Sequence, residues 1–131
     1  MSTKRIFFIV DDDADDQELF SEAVNEVDRN IECISAYSCE DAIDWLRNRK
    51  ISPDMIFLDL NMPRVNGKQC LLELKQIEGV RNIPVIIYTT SSEKRDIEET
   101  ARLGAAHFLT KPNNFAELCK ALSFVVSKEW V

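Results

Sequence analysis

The chain has 131 residues, 45% of them apolar, and carries 23 acidic against 16 basic side chains for a net charge of −7. That length suits one domain around one core. The acidic balance argues against nucleic-acid binding, which draws on a basic patch, and no apolar run approaches the roughly 20 residues of a membrane helix.

Five short apolar runs alternate with five amphipathic stretches. The first run, residues 4–10, follows Lys4-Arg5 and stops at Val10 against Asp11-Asp12-Asp13. It is a strand pattern, and its acidic ending is wrong for a secretion signal. A soluble cytoplasmic protein is therefore expected. Leu19, Phe20, Ala23, Val24 and Val27 then recur at helical spacing. Residues 31–36 form the second strand, and Ala42, Ile43 and Leu46 mark the second helix. Pro53 precedes the third strand, 55–59, and Leu71, Leu74 and Lys75 begin a helix beyond Gly67. Pro84 opens the fourth strand, 84–89. Gly104 precedes the fifth, 105–110, and Asn113 or Asn114 can cap the last helix. That helix has the clearest stripe: Phe115, Leu118, Cys119, Leu122, Val125 and Val126. Near-continuous Ile, Val and Phe runs suit strands buried on both faces. The alternating order implies a doubly wound α/β fold, a five-stranded parallel sheet with right-handed crossovers. Residues 1–131 are expected to form a single domain, with no repeat or linker.

In such sheets ligands sit beyond the carboxyl ends of the strands. Four strands end there on chemistry-bearing residues: Asp11-Asp12, Asp59, Thr89 and Lys111. Taken alone, the acids at 11–13 read as a solvated helix start, where negative charge is favoured. With Asp59 beside them, three carboxylates need a cation. Magnesium, with manganese as a substitute, takes such oxygen ligands. Thr89 and Lys111 complete a set suited to a phosphoryl group. Two other acidic patterns fit less well. Asp11, Asp13, Asp15 and Glu22 match four positions of an EF-hand loop, but Asp16 stands where that loop needs Gly and a strand precedes it. The run also resembles the Asp-x-Asp start of haloacid-dehalogenase phosphatases, yet Asp15 departs from their pattern and the chain is short for that fold.

Together these pieces resemble the receiver domain of two-component response regulators. The matching segments are Ile-Val-Asp-Asp at 9–12, Phe-Leu-Asp-Leu-Asn-Met-Pro at 57–63, Val-Asn-Gly at 65–67, Pro-Val-Ile-Ile-Tyr-Thr at 84–89, Leu-Gly-Ala at 103–105 and Phe-Leu-Thr-Lys-Pro at 108–112. They run in order along essentially the whole chain. Within the family, stand-alone phytochrome-type receivers look most similar, from Tyr-Thr-Thr-Ser-Ser at 88–92, Asp15-Asp16 and Glu129-Trp130-Val131.

The resemblance implies a flavodoxin-like (βα)5 fold with strand order 2-1-3-4-5 and no output domain. It implies a response regulator that signals through protein contacts rather than an enzyme. Asp59 would accept the phosphoryl group from a histidine kinase, of phytochrome type by those cues. Asp12 and Asp59 would bind the metal directly, Asn61 through its backbone carbonyl and Asp11 through water. Thr89 and Lys111 would bind phosphoryl oxygens, and Phe108 would follow Thr89 in the switch. The Lys111–Pro112 bond would be cis. Two residues depart from the commoner family pattern. Phe108 lacks the hydroxyl of the more usual Tyr, and Thr90 replaces a frequent Ala, which should narrow access for attacking water. The rival readings are a pseudo-receiver that binds without being phosphorylated and an aspartyl-nucleophile phosphatase.

The four cysteines lack metal-site spacing and are expected as reduced, structural thiols, Cys33 on a strand and Cys70 and Cys119 on helices. His107 alternates onto a strand surface. Phe124 lies off the last helix's stripe and, with Trp130, is a candidate interface for a homodimer or a kinase. The downstream partner is a protein the sequence does not name.

Overall fold

In the computed structural model, residues 4–64 and 66–130 are described; Val65 of the Val-Asn-Gly motif and the terminal Val131 lie outside them. Five strands and five helices alternate: β1 (Arg5–Val10), α1 (Ala14–Val27), β2 (Ile31–Ala36), α2 (Cys39–Arg47), β3 (Met55–Leu58), α3 (Gly67–Lys75), β4 (Val85–Thr89), α4 (Lys94–Arg102), β5 (His107–Thr110) and α5 (Phe115–Ser127). All pairings are parallel and the strand order is 2-1-3-4-5, as expected. The strand positions hold to within two residues of the apolar runs.

The central strands β1, β3 and β4 are near-continuously apolar because both of their faces are covered, whereas the edge strands β2 and β5 carry Glu32, Ser35, His107 and Thr110 and are only partly buried. Phe8, Val10, Ile56, Leu58, Val85 and Ile87 face α2 and α3, meeting Ala42, Leu46, Leu71 and Leu74. The alternate residues Phe7, Ile9, Met55, Phe57, Ile86 and Tyr88 face α1 and α5, meeting Phe20, Val24, Leu118, Leu122 and Val125. On that second face Phe20 packs edge-on to Phe57 at 4.7 Å and to Tyr88 at 5.2 Å between ring centroids. Fully burying each such ring contributes roughly 1.5–3 kcal/mol. Two stripe members depart from expectation: Leu19 and Phe115 are exposed, and Gln17 takes the inward place on α1. Gln17 sits there with its Nε2 within 3.0–3.1 Å of the carbonyls of Ile9, Asp11 and Ala36, which share its two N–H groups, while its buried Oε1 has no partner among the described residues. Those bonds tie the ends of β1 and β2 together just below the site.

The thiols are not all free. Cys39, at the start of α2, and Cys70, in α3, are joined in a disulfide, with Cα atoms 6.0 Å apart. Both are buried where α2 meets α3. A separation of 31 residues gives no local sign of this, because the fold makes the pair. Cys33 and Cys119 remain free thiols. Burial pushes Cys33 up to about 11, so it stays protonated. Among the described residues no helix is long and apolar enough to cross a membrane.

Candidate functional site

The site is assembled from strand ends. Asp11 follows β1 directly, and its backbone N–H donates to Ala36 at the end of β2 (3.1 Å). Its Oδ1 accepts the Asp13 N–H at 3.0 Å. Asp13 in turn caps α1, accepting from the amides of Asp15 and Asp16 at 2.9 and 3.1 Å. Asp59 follows β3, and its amide donates to Val10 at 3.0 Å. Its Oδ1 accepts the Asn61 N–H at 3.1 Å. Pairing β1 with β3 in parallel register, with Val10 opposite Leu58, therefore sets Asp11 beside Asp59.

Lys111 arrives from β5, two strands away. Its backbone N–H donates to Thr89 at 2.6 Å. Its ammonium donates to Asp16 at 2.7 Å, Asp11 at 2.8 Å and Asp59 at 3.3 Å. The Tyr88 ring lies beneath it, 5.4 Å away. Burial alone would lower the lysine's proton affinity, but its bonds to Asp11 and Asp16 outweigh this and hold it above its ordinary range. Burial pushes Asp11 up to about 6, only partly offset by Lys111 and the Asp13 amide. Burial likewise pushes the Tyr88 phenol up to about 12. The Lys111–Pro112 bond is trans, not cis as expected. Trans is the form an X–Pro bond prefers by roughly 0.5–1 kcal/mol unless its surroundings impose the other.

Oxygens of Asp11, Asp12 and Asp59 all lie within 4.8 Å of one another. Asp11 and Asp59 are buried and Asp12 exposed. Hard oxygen donors at this spacing fit a divalent cation. Thr89 is fully buried. Its Oγ1 accepts from Asn61 Nδ2 at 3.1 Å, and the same amide group also reaches Thr90 Oγ1 at 3.1 Å. Asp11, Asp12, Asp59, Asn61, Thr89 and Lys111 thus gather at one edge. Two contributions go beyond the expected set. The Asn61 side chain clamps both threonines, and Asp16 is a partner of Lys111. The sequence signal for Asp16 is the helix start at Asp13, which turns the fourth residue after Asp12 back toward the sheet edge.

Phe108 is half-buried at the β5 end of a cavity of about 330 Å³ lined also by Ile97, Thr100 and Ala105. Phe124 is 51% exposed, as its place off the stripe implies. Trp130 instead folds back, its Nε1 donating to Val125 at 2.9 Å. Half-buried His107 stacks near both rings, at 5.1 and 5.6 Å between centroids. Burial, then the nearby Lys128 charge, lowers its proton affinity. The unfolded chain takes up this proton at the ordinary value and the fold only at lower pH. The stability His107 contributes is therefore full above that ordinary value and lost as pH falls through the folded one. As the chain's single histidine, it is expected to titrate in NMR below its ordinary value of 6.5, and closer to it in Lys128→Gln. An imidazole titrating above that value would contradict this.

A profile of the response regulator receiver domain matches residues 7–123. The chain is 36% identical over 75 residues to response regulator Rcp1 of Synechocystis sp., covering 57% of this chain and 51% of that protein. It is 32% identical over 104 residues to the polar-differentiation response regulator DivK of Brucella ovis, covering 79% and 81%. The chain spans about half the length of several curated relatives it matches. Among solved structures it is similar to the phosphorylated cyanobacterial phytochrome response regulator RcpA, with a TM-score of 0.85 and 27% identity over 94% of this chain and 91% of that one. It is also similar to the Mn(2+)-bound form of Rcp1, with a TM-score of 0.82 and 28% identity over 94% and 92%.

Proposed function

The chain belongs to the response regulator receiver domain family, and from that premise we propose that Asp59 accepts a phosphoryl group from the phosphohistidine of a partner kinase. One observation carries this reading: a lysine from β5 lies within hydrogen-bond reach of acids that follow β1 and β3. A carboxylate oxygen of Asp59 attacks phosphorus, the bond from phosphorus to the donor imidazole breaks, and its electron pair stays on the departing nitrogen. An acyl phosphate results. Transfer of this kind depends on alignment and charge neutralisation.

Asp12, Asp59 and the Asn61 carbonyl, with Asp11 behind them, would hold magnesium, which supplies positive charge against the phosphoryl oxygens. The Mn(2+)-bound Rcp1 relative supports a divalent ion here, as do the three close carboxylates. Lys111 pairs with another phosphoryl oxygen. Thr89 can donate to a third, because its Oγ1 only accepts from Asn61 Nδ2 and, among the described residues, its own O–H remains free for that bond. Movement of Thr89 would open space for Phe108 and change the α4–β5 face. The signal then passes by protein contact, in a cytoplasmic setting, with a phytochrome-type kinase as the upstream candidate.

Acetyl phosphate with magnesium tests this by intact mass. The parent is expected to gain one phosphoryl group and Asp59→Asn none. A parent that gains nothing is a pseudo-receiver, and one that turns over the donor without retaining phosphate is a phosphatase. Thr90→Ala removes a branched side chain beside the acceptor and one contact of the Asn61 clamp. It is expected to lose phosphate several-fold faster than the parent, within the roughly 0.5–1.5 kcal/mol of one hydrogen bond. Equal or slower loss would contradict it.

A further inference from the structure

Lys111 is held by more acids than the proposed reaction uses. Its ammonium has three N–H donors and no acceptor. Each donor has a carboxylate, and the contact to Asp16 is the shortest, while that to Asp59 is the longest. Asp16 is not one of the three acids whose oxygens cluster at metal-binding distance. It lies in the first turn of α1, and its backbone is fixed there by the Asp13 cap. Its side chain is 34% exposed against 10% for Lys111. The ammonium is thus drawn toward the helix and away from the phosphoacceptor.

We propose that Asp16 is a positioning residue that holds Lys111 back from Asp59 in the unphosphorylated protein. This deepens the phosphoacceptor reading and rests on it. To pair a phosphoryl oxygen the ammonium must move inward, and the negative charge of Asp16 opposes that movement. Asp16 therefore slows phosphoryl uptake by retaining the cation that the incoming group needs. Asp15 supplies an internal control. It is the neighbouring acid, is exposed, and does not touch Lys111.

The test compares second-order rate constants for phosphorylation by acetyl phosphate at fixed magnesium and ionic strength. Asp16→Asn is expected to react about fivefold faster than the parent, the scale of one partly exposed charge pair. Asp15→Asn is expected to stay within roughly 1.5-fold, since a screened charge without contact contributes little. Asp16→Glu, which restores the charge, should return toward the parent rate, a rescue that a merely structural role would not give. Asp16→Ala should be at least as fast as Asp16→Asn, because it also removes the acceptor oxygen. An Asp16→Asn rate equal to that of Asp15→Asn, or slower than the parent, overturns the assignment. A parent that takes up no phosphoryl group overturns the phosphoacceptor reading and this assignment with it.

Discussion

Lys111→Met is expected to lower the stability of the metal-free protein by about 3 kcal/mol, the scale for stranding a buried charge, and to slow phosphorylation of Asp59 about 100-fold, as loss of one preorganised charge donor does. The methionine keeps the bulk of the side chain over Tyr88 but removes the only cation that touches Asp11, Asp16 and Asp59 among the described residues. Asp11 and Asp59 are buried and cannot turn to water for compensation. The pH dependence has a definite sign. Burial has already pushed Asp11 up to about 6, with Lys111 among the influences that lower it. Without the lysine it moves higher, so a proton can take the cation's place in mild acid. The stability loss should be larger at about pH 8 than at about pH 5.5, on either side of that value. Magnesium should raise the melting midpoint of the variant more than that of the parent, because the ion then supplies neutralisation the lysine no longer gives. Melting curves in chelator and in magnesium check both points. A metal-free midpoint equal to the parent's under the more alkaline condition would sink the argument.

Gly67→Ala is expected to be the most damaging single-methyl change in the chain, destabilising by about 3 kcal/mol through overpacking. A midpoint drop of roughly 10 °C follows for a domain of this size. A Cβ at position 67 would sit 2.4 Å from Leu60 Cα and 2.8 and 2.9 Å from its carbonyl oxygen and carbon. These are backbone atoms, so no rotamer change relieves the clash. The glycine lets the start of α3 lie directly against the turn that leaves Asp59. That turn carries Asn61, whose amide holds Asp59 and whose side chain holds Thr89. The variant should therefore lose phosphorylation rate as well as stability. Gly79→Ala is the contrast. Gly79 has φ of +87° but nothing within 4 Å of an added Cβ. Only backbone strain opposes that change, about 1 kcal/mol. If both variants melt alike, close packing at Leu60 is not the constraint.

Much of the fold and the site is legible in the sequence because burial on both faces writes itself as continuous apolar runs, and each run stops where the chain reaches the functional edge. Asp11, Asp59, Thr89 and Lys111 stand at or just past those stops. The features that escape depend on angles and cross-chain distances. Asp16 and Asp15 are adjacent acids, and only the cap at Asp13 decides that one meets Lys111 and the other meets solvent. Leu19 fits the helical stripe by spacing, yet Gln17 occupies the inward place because three carbonyls await its amide. The Asn61 side chain is hidden behind the role expected of its backbone. Trp130, named with Phe124 as an interface candidate, is half-buried and donates to Val125 beside the His107 ring, contacts that spacing along the chain does not show.

The bond between Cys39 and Cys70 changes the topology of the polypeptide. It closes a ring that contains β3, Asp59 and Asn61, so the proposed phosphoacceptor rides on a covalent loop rather than on open chain. Such a ring cannot disperse fully even when the sheet melts. Restricting the unfolded chain over a span of this length contributes about 3–4 kcal/mol in the chain-entropy account. Where thiols are kept reduced the ring opens, and the segment bearing Asp59 becomes as free to scatter as any other.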